Sequence, residues 1–193
     1  TREGKVIRRI GTQTLNGEVR RRGGKWFWQF GGGKQVDIDM ASSGQKANWP
    51  LVLLSQVLFS WRRQQMIEEP FYLHVEEPEI HLHPSAQVAM VKILGYLVNQ
   101  GINVLVTTHS LTVLYALNNL TLAFQKLGDK AADPVPEPDV RLDPEQVSAY
   151  LFDEGNVIPI LDHGLIDEAR LGHVLGNLEA EFNRLSTYGI LWE

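Results

Sequence analysis

The chain has 193 residues, enough for one sizeable core, and its 44 % apolar and 21 % charged content excludes a disordered chain. No apolar run reaches the roughly 18 residues a membrane span needs, and the basic start is not followed by the apolar stretch of a signal peptide. There is no cysteine, so disulfides and thiolate metal sites are excluded and a cytoplasmic setting is expected.

The net charge of −5 is unevenly spread: residues 1–34 hold nine basic side chains against two acidic ones. That basic segment (Arg2, Lys5, Arg8, Arg9, Arg20, Arg21, Arg22, Lys25, Lys34) suits nucleic acid or phosphate, and it equally suits the solvated surface of a hairpin. Residues 1–25 are polar and Gly-rich, with too little periodicity to assign an element. From Trp26 the pattern turns extended. KWFWQF and QVDIDM flank Gly31–Gly33, which predicts an N-terminal β-hairpin.

Ala41-Ser42-Ser43-Gly44-Gln45 then leads into an apolar stretch over 51–61, which predicts a buried helix starting near the Gly-Gln pair. Pro50 fits only near the first turn of that helix. Phe71, Tyr72, Leu73 and Val75 predict a buried strand over 70–76 that ends in carboxylates. Pro84 opens a helix that Gly101 closes. INVLVTTHS predicts a second buried strand, over 102–107, followed by a helix over 111–118 and, in TLAFQK, a third strand.

Residues 128–146 hold four of the nine prolines among acidic side chains and read as a linker. VSAYLFDEGNVIPIL reads as a hairpin with Gly155-Asn156 at its turn. The tail is an amphipathic helix with Leu171, Val174, Leu175, Leu178, Phe182 and Leu185 on one face. Strand, helix and strand with short loops predict parallel pairing, with 70–76 and 102–107 as neighbours. In such sheets ligands bind at the carboxyl ends of the strands, where EEPE and TTHS stand.

Three groups there carry chemistry. Glu76 and Glu77 end an apolar strand: one carboxylate can hold a divalent cation, directly or through water, and the other can orient an attacking water. An acidic turn is the alternative. His109 caps the next strand, where a ring N–H can reach a phosphate; a structural histidine is the alternative. Ser42-Ser43-Gly44-Gln45 sets a hydroxyl and backbone N–H groups at a helix start, which is an anion site or an ordinary cap.

Taken together, their order resembles the distal half of the ABC ATPase superfamily. Ala41 to Gln45 stands where that family has its signature loop, Leu73-His74-Val75-Glu76-Glu77-Pro78 where it has Walker B, Glu79-Ile80-His81-Leu82-His83 at the D-loop, and His109 at the switch. The EEPEIHLHP wording looks like the AAA-type ABC ATPases of the overcoming-lysogenization-defect and RecF-like, SMC-related groups, many of which act in DNA repair or phage defence. The resemblance spans roughly residues 36–120. It implies an α/β, P-loop NTPase-like fold with a mostly parallel sheet flanked by helices. It also implies ATP and Mg²⁺, with Glu76 at the metal and Glu77 polarising water. Ser42, Ser43, Gly44 and Gln45 would face ATP held by an opposite subunit. His109 would sense the γ-phosphate, and His83 would stand at the partner-facing end of the D-loop.

One part is absent. A phosphate cradle needs G-x-x-x-x-G-K-[ST], and neither Gly24-Lys25-Trp26 nor Gly33-Lys34-Gln35 supplies it. The expected fold is therefore incomplete, and the chain is expected to be a fragment or one part of a split protein. The P-loop would come from another segment, and the chain would be inactive alone. Residues 1–127 form the distal half of the ATPase domain in this reading, 128–146 the linker, and 147–193 a hairpin and helix. Expected partners are a second copy or the P-loop half, with nucleic acid at the basic end and no membrane. Two alternatives stay open: a non-catalytic interaction module of the same fold, and a metal-dependent hydrolase built on His74, His81, His83 and the neighbouring glutamates. A nuclease would need a further acidic cluster, which the sequence does not hold.

Overall fold

The computed structural model describes residues 2–64, 66, 70–130, 135–167 and 169–187. They fall into two compact units, Thr1–Val147 and Ser148–Glu193.

The first unit opens on a helix the sequence did not announce, α1 (Arg2–Leu15). Its buried residues Ile7, Ile10, Gly11, Thr14 and Leu15 recur every three or four positions and make one face. β1 (Glu18–Arg22), β2 (Lys25–Gln29) and β3 (Gln35–Asp37) follow as an antiparallel sheet in that order. The expected hairpin is its β2–β3 part. Val19, Trp28 and Val36 align across the strands, with Trp28 wholly buried.

α2 (Ser43–Arg63) begins at a capping box: Ser42 Oγ accepts from Gln45 N–H, and Gln45 Oε1 accepts from Ser42 N–H. Pro50 lies inside this helix, beyond the first turn where it was expected. The cap upstream fixes the start, and exposed Pro50 removes one helical N–H without ending the helix. Gly11 brings α1 close, since a Cβ there would stand 2.7 Å from Val52 Cγ1.

β4 (Phe71–Glu76), α3 (Pro84–Asn99) and β5 (Ile102–Thr107) form the expected strand–helix–strand unit, with β4 and β5 parallel and Glu76 opposite Thr107. α3 is the centre of the unit. Met90, Val91, Ile93, Tyr96 and Leu97 are at most 1 % exposed, and α1, α2, α4 (Leu111–Leu127) and β5 all pack on it. Removing such a side chain to Ala costs about 2–5 kcal/mol.

Three expectations change here. TLAFQK is not a third strand but the end of α4, which runs to Leu127; Leu120, Thr121 and Ala123 are buried on one helical face. The mostly parallel sheet is present as the single pair β4–β5, and the other described sheets are antiparallel. Residues 135–146, part of the stretch 128–146 read as linker, lie in the first unit: Val140 and Leu142 are buried, and Asn99 Nδ2 donates to the carbonyls of Asp139 and Arg141. Gly95 makes that contact possible, since a Cβ would lie 2.5 Å from the Val140 carbonyl oxygen.

Among the described residues of the first unit, nothing covers one face of the parallel pair. Tyr72, His74 and Glu76 of β4 and Asn103, Leu105 and Thr107 of β5 are exposed, with Tyr72 at 75 % and Leu105 at 62 %. Neither outer edge pairs with another described strand. Parallel sheets are ordinarily covered on both faces.

An ion-pair knot ties the 135–147 segment to α1 and α3: Glu137 accepts from Arg9 at 2.7 Å and Lys92 at 3.2 Å. Burial pushes its carboxyl pKa up, but a hydrogen bond from its own backbone and the two cations outweigh this and hold it below the ordinary value. A lowered folded pKa adds stability above the unfolded pKa, and that stability is lost as pH falls through the folded one. Glu137→Gln is therefore expected to lower Tm at neutral pH and to leave Tm closer to the parent's in acid, measured by calorimetry across pH 2.5–7 (about the carboxylate range).

The second unit contains the hairpin β6 (Tyr150–Asp153) and β7 (Asn156–Pro159). Its turn is Glu154-Gly155 rather than Gly155-Asn156, because both turn residues take positive φ (46° and 82°) while Asn156 already pairs with Asp153. A shorter hairpin, β8 (Leu161–Asp162) and β9 (Leu165–Ile166), follows, and then α5 (Ala169–Thr187). Of the tail's expected apolar face, Leu178, Phe182 and Leu185 are exposed; the side chains of Leu171, Val174 and Leu175 lie outside the described residues.

Candidate functional site

The carboxyl ends of β4 and β5 converge, as parallel pairing requires. β4 ends at Glu76, whose side chain is exposed. Glu77 adds one more ladder bond, its N–H donating to the Thr107 carbonyl at 2.9 Å, and then turns out of the strand with φ +42°. The strand ends at this left-handed turn, so strand alternation no longer fixes how the Glu77 side chain lies relative to that of Glu76. Glu77 Oε1 stands 3.5 Å from His109 Nε2, with the side chains 40 % and 87 % exposed.

The loop 77–83 folds back on itself through Ile80 N–H to the Glu77 carbonyl and Leu82 N–H to the Glu79 carbonyl, with His81 at φ +59°. His83 caps α3: its Nδ1 lies 2.8 Å from Ser85 Oγ and accepts from Ser85 N–H, and Pro84 occupies the first turn. The loop also meets the start of α2. Gly44 packs so tightly on it that a Cβ would stand 2.4 Å from the His81 carbonyl oxygen. Buried Asn48 donates to both the Gly44 and the Ile80 carbonyls, at 3.1 and 3.2 Å.

The eight expected site residues therefore divide. Glu77 and His109 come within 3.5 Å of each other, and Glu76 is the last residue of β4, with no described hydrogen bond or ion pair to either. Gly44 touches the loop that follows Glu77. Ser42 and Ser43 are exposed, and no described hydrogen bond or ion pair joins them to Glu76, Glu77 or His109. Gln45 is engaged at both polar ends, by the cap and by Nε2 donating to the Leu15 carbonyl at 2.9 Å, so it shapes the loop. His83 is engaged through Nδ1 as the cap of α3. Sequence reasoning missed Asn48, Glu79 and Thr108. The signal for Asn48 was a polar residue one helical turn after Gly44, immediately before the apolar stretch of α2.

The arrangement can hold one hydrated divalent cation at the exposed Glu76 carboxylate and can orient a water at Glu77. Among the described residues it offers no cradle for a triphosphate. Among the described residues no group of three or more His, Asp or Glu gathers as a metal centre: His74 is on the exposed sheet face, His81 is in a turn and His83 is a cap. No helix among the described residues is long and apolar enough to cross a membrane.

Residues 4–114 match the model of a family described as AAA ATPase domain. Among solved structures, one from work on ATP-driven dimerization and DNA-stimulated activation of SMC ATPases is similar to 92 % of this chain and 94 % of its own, with 14 % identity and a TM-score of 0.51. The SMC head domain from Thermotoga maritima is similar to 60 % of this chain and 40 % of its own, with 19 % identity and a TM-score of 0.40. No curated protein matches the sequence.

Proposed function

From the premise that this chain belongs to the AAA ATPase domain family, we propose that it forms the signature-bearing half of an ATP hydrolase that works as a head-to-tail dimer. The observation that carries this is the Glu77–His109 pair at 3.5 Å, at the carboxyl ends of two parallel strands. Glu77 takes the role of polarising the attacking water, and His109 donates from its ring to the γ-phosphate. Glu76 is the residue to hold Mg²⁺, which when bound neutralises charge on the phosphates. Ser42 and Gly44 of one copy, shaped by Ser43 and Gln45, face the ATP of the other. His83 lies toward that partner.

The P-loop comes from a segment that this sequence does not contain. The bare face of β4–β5 supports this, because it is where a covering layer would lie. In the isolated chain, calorimetry is expected to detect no micromolar ATP binding and the chain no turnover. Joined to a P-loop-bearing segment, it is expected to bind ATP, hydrolyse it and dimerise in its presence. Micromolar binding by the chain alone, or no turnover after joining, sinks the proposal.

A DNA-repair or phage-defence setting follows from the EEPEIHLHP wording, and nucleic acid is the partner proposed for the basic end. Arg20 and Arg22 of β1 and Lys25 of β2 are exposed on the sheet face that also carries Phe27, opposite the face of Val19 and Trp28. Replacing Arg20, Arg22 and Lys25 together with Ala is expected to weaken DNA binding and to make the log–log salt slope shallower by about 2–3. Unchanged affinity and slope in a fluorescence titration would remove this face as the interface.

A further inference from the structure

The Glu77–His109 pair has a weakness: both side chains are substantially exposed, so burial does not fix their alignment. It must come from the backbones that carry them. Glu77 is held by its N–H on the Thr107 carbonyl. His109 is held by a different group. Glu79 Oε1 accepts from Thr108 Oγ1 at 2.5 Å and from the His109 backbone N–H at 3.1 Å. Its other oxygen, Oε2, is buried without a protein partner. Thr108 Oγ1 in turn accepts from Ser110 N–H at 3.0 Å. Behind this contact Gln87 repeats the bridge: its Nε2 donates to the Leu82 carbonyl, and its Oε1 accepts from Ser110 Oγ at 2.7 Å.

The geometry points to Glu79 as the positioning residue that locks the loop of residues 107–110 to the loop 77–83 and so holds His109 against Glu77. A carboxylate suits this task. One oxygen takes two donors from consecutive residues, and bonds to an ionised acceptor are shorter and stronger than neutral ones. Glu79 also lies between Glu77 and the Ile80–His81 carbonyls, which face Asn48 and Gly44. Any displacement of the start of α2 therefore reaches His109 through Glu79 within a few residues. Glu79 touches no reacting atom in this scheme and acts through His109.

The proposal rests on the hydrolytic reading for its turnover arm only; its structural arm does not. In the isolated, isotope-labelled chain, the His109 amide is expected to be protected from hydrogen exchange in the parent and deprotected in Glu79→Ala. Glu79→Gln keeps an Oε1 that accepts both bonds and is expected to restore protection. In the P-loop-completed assembly, Glu79→Ala is expected to lower kcat by roughly ten- to a hundredfold with KM for ATP unchanged, as misplacement of a catalytic group does. Glu79→Gln is expected to recover most of that loss. If Glu79→Ala proves unstable, Thr108→Val removes one of the two donors and is expected to give a smaller loss of the same kind. Unchanged His109 amide exchange in Glu79→Ala overturns the proposal. So does a Gln variant as impaired as the Ala variant. If Glu77→Gln abolishes turnover while Glu79→Ala preserves it, the hydrolytic reading stands and the positioning role falls. If the parent assembly shows no turnover, the amide measurement still decides the positioning role.

Discussion

Glu77→Gln is expected to lower ATP turnover of the P-loop-completed assembly by about a thousandfold, within the range by which general acid–base groups act, while leaving ATP-dependent dimers intact. The substitution keeps size and keeps the backbone N–H on the Thr107 carbonyl, so the strand end and its φ of +42° are undisturbed. It removes the carboxylate charge that stands 3.5 Å from the His109 ring. Substrate then binds but is not consumed, and a dimer that dissociates on hydrolysis accumulates. His109→Ala, which leaves Glu77 in place, is expected to slow hydrolysis less and to leave ATP affinity near the parent's. Steady-state turnover and dimer mass with and without ATP check both. Parental turnover by Glu77→Gln would remove this carboxylate from the chemistry.

The second large effect concerns Gly44. Its Cβ position lies 2.4 Å from the His81 carbonyl oxygen and 3.1 Å from the His81 carbonyl carbon, so even a methyl group cannot be accommodated unless backbone moves. The φ there is helical, so conformational freedom is not the reason for glycine; room is. Gly44→Ala must push the loop 77–83 away from α2 and stretch the Asn48 bond to the Ile80 carbonyl. Overpacking of this kind costs about 1–3 kcal/mol, a Tm decrease of roughly 3–10 °C for a unit of this size. In the completed assembly turnover falls as well, since the displaced loop carries Glu77 and Glu79. Calorimetry on the chain alone and turnover on the assembly check the two halves separately. An unchanged Tm would mean that the close contact is relieved at no cost, and the link between α2 and the loop would be discarded.

The chemistry was easier to read from the sequence than the scaffold was. EEPE and TTHS end apolar runs, so apolar patterns located β4 and β5 and set both polar ends on one edge, while the Glu77–His109 contact appears only in the folded chain. Pro84 and Gly101 bounded α3 for the same reason. α1 went unassigned although Val6, Ile7, Ile10 and Leu15 recur at helical spacing, because Gly11 and Thr14 break the apolar face between them; Gly11 is small because α2 crosses there. Residues 128–146 read as linker because prolines and acids dominate. Yet Val140 packs on α3, Leu142 is buried with its N–H donating to the Leu120 carbonyl of α4, and Asn99 satisfies the Asp139 and Arg141 carbonyls, which only the folded neighbours reveal. TLAFQK is β-prone in isolation, but α4 continues through it because α3 offers its face a buried partner. Glu79 looked like one more acid in an acidic turn, and its two hydrogen bonds are contacts across 29 and 30 residues.

The bare side of the β4–β5 pair has a consequence for how the chain can be made. Tyr72 and Leu105 stand out to solvent between two strand edges with no described neighbour, and such edges recruit strands from other molecules. While this surface stays uncovered, the longer it waits the greater the chance of pairing with another nascent copy. Production of the chain by itself should therefore yield material whose solubility falls with expression level, and simultaneous production with the segment that covers the sheet should recover it.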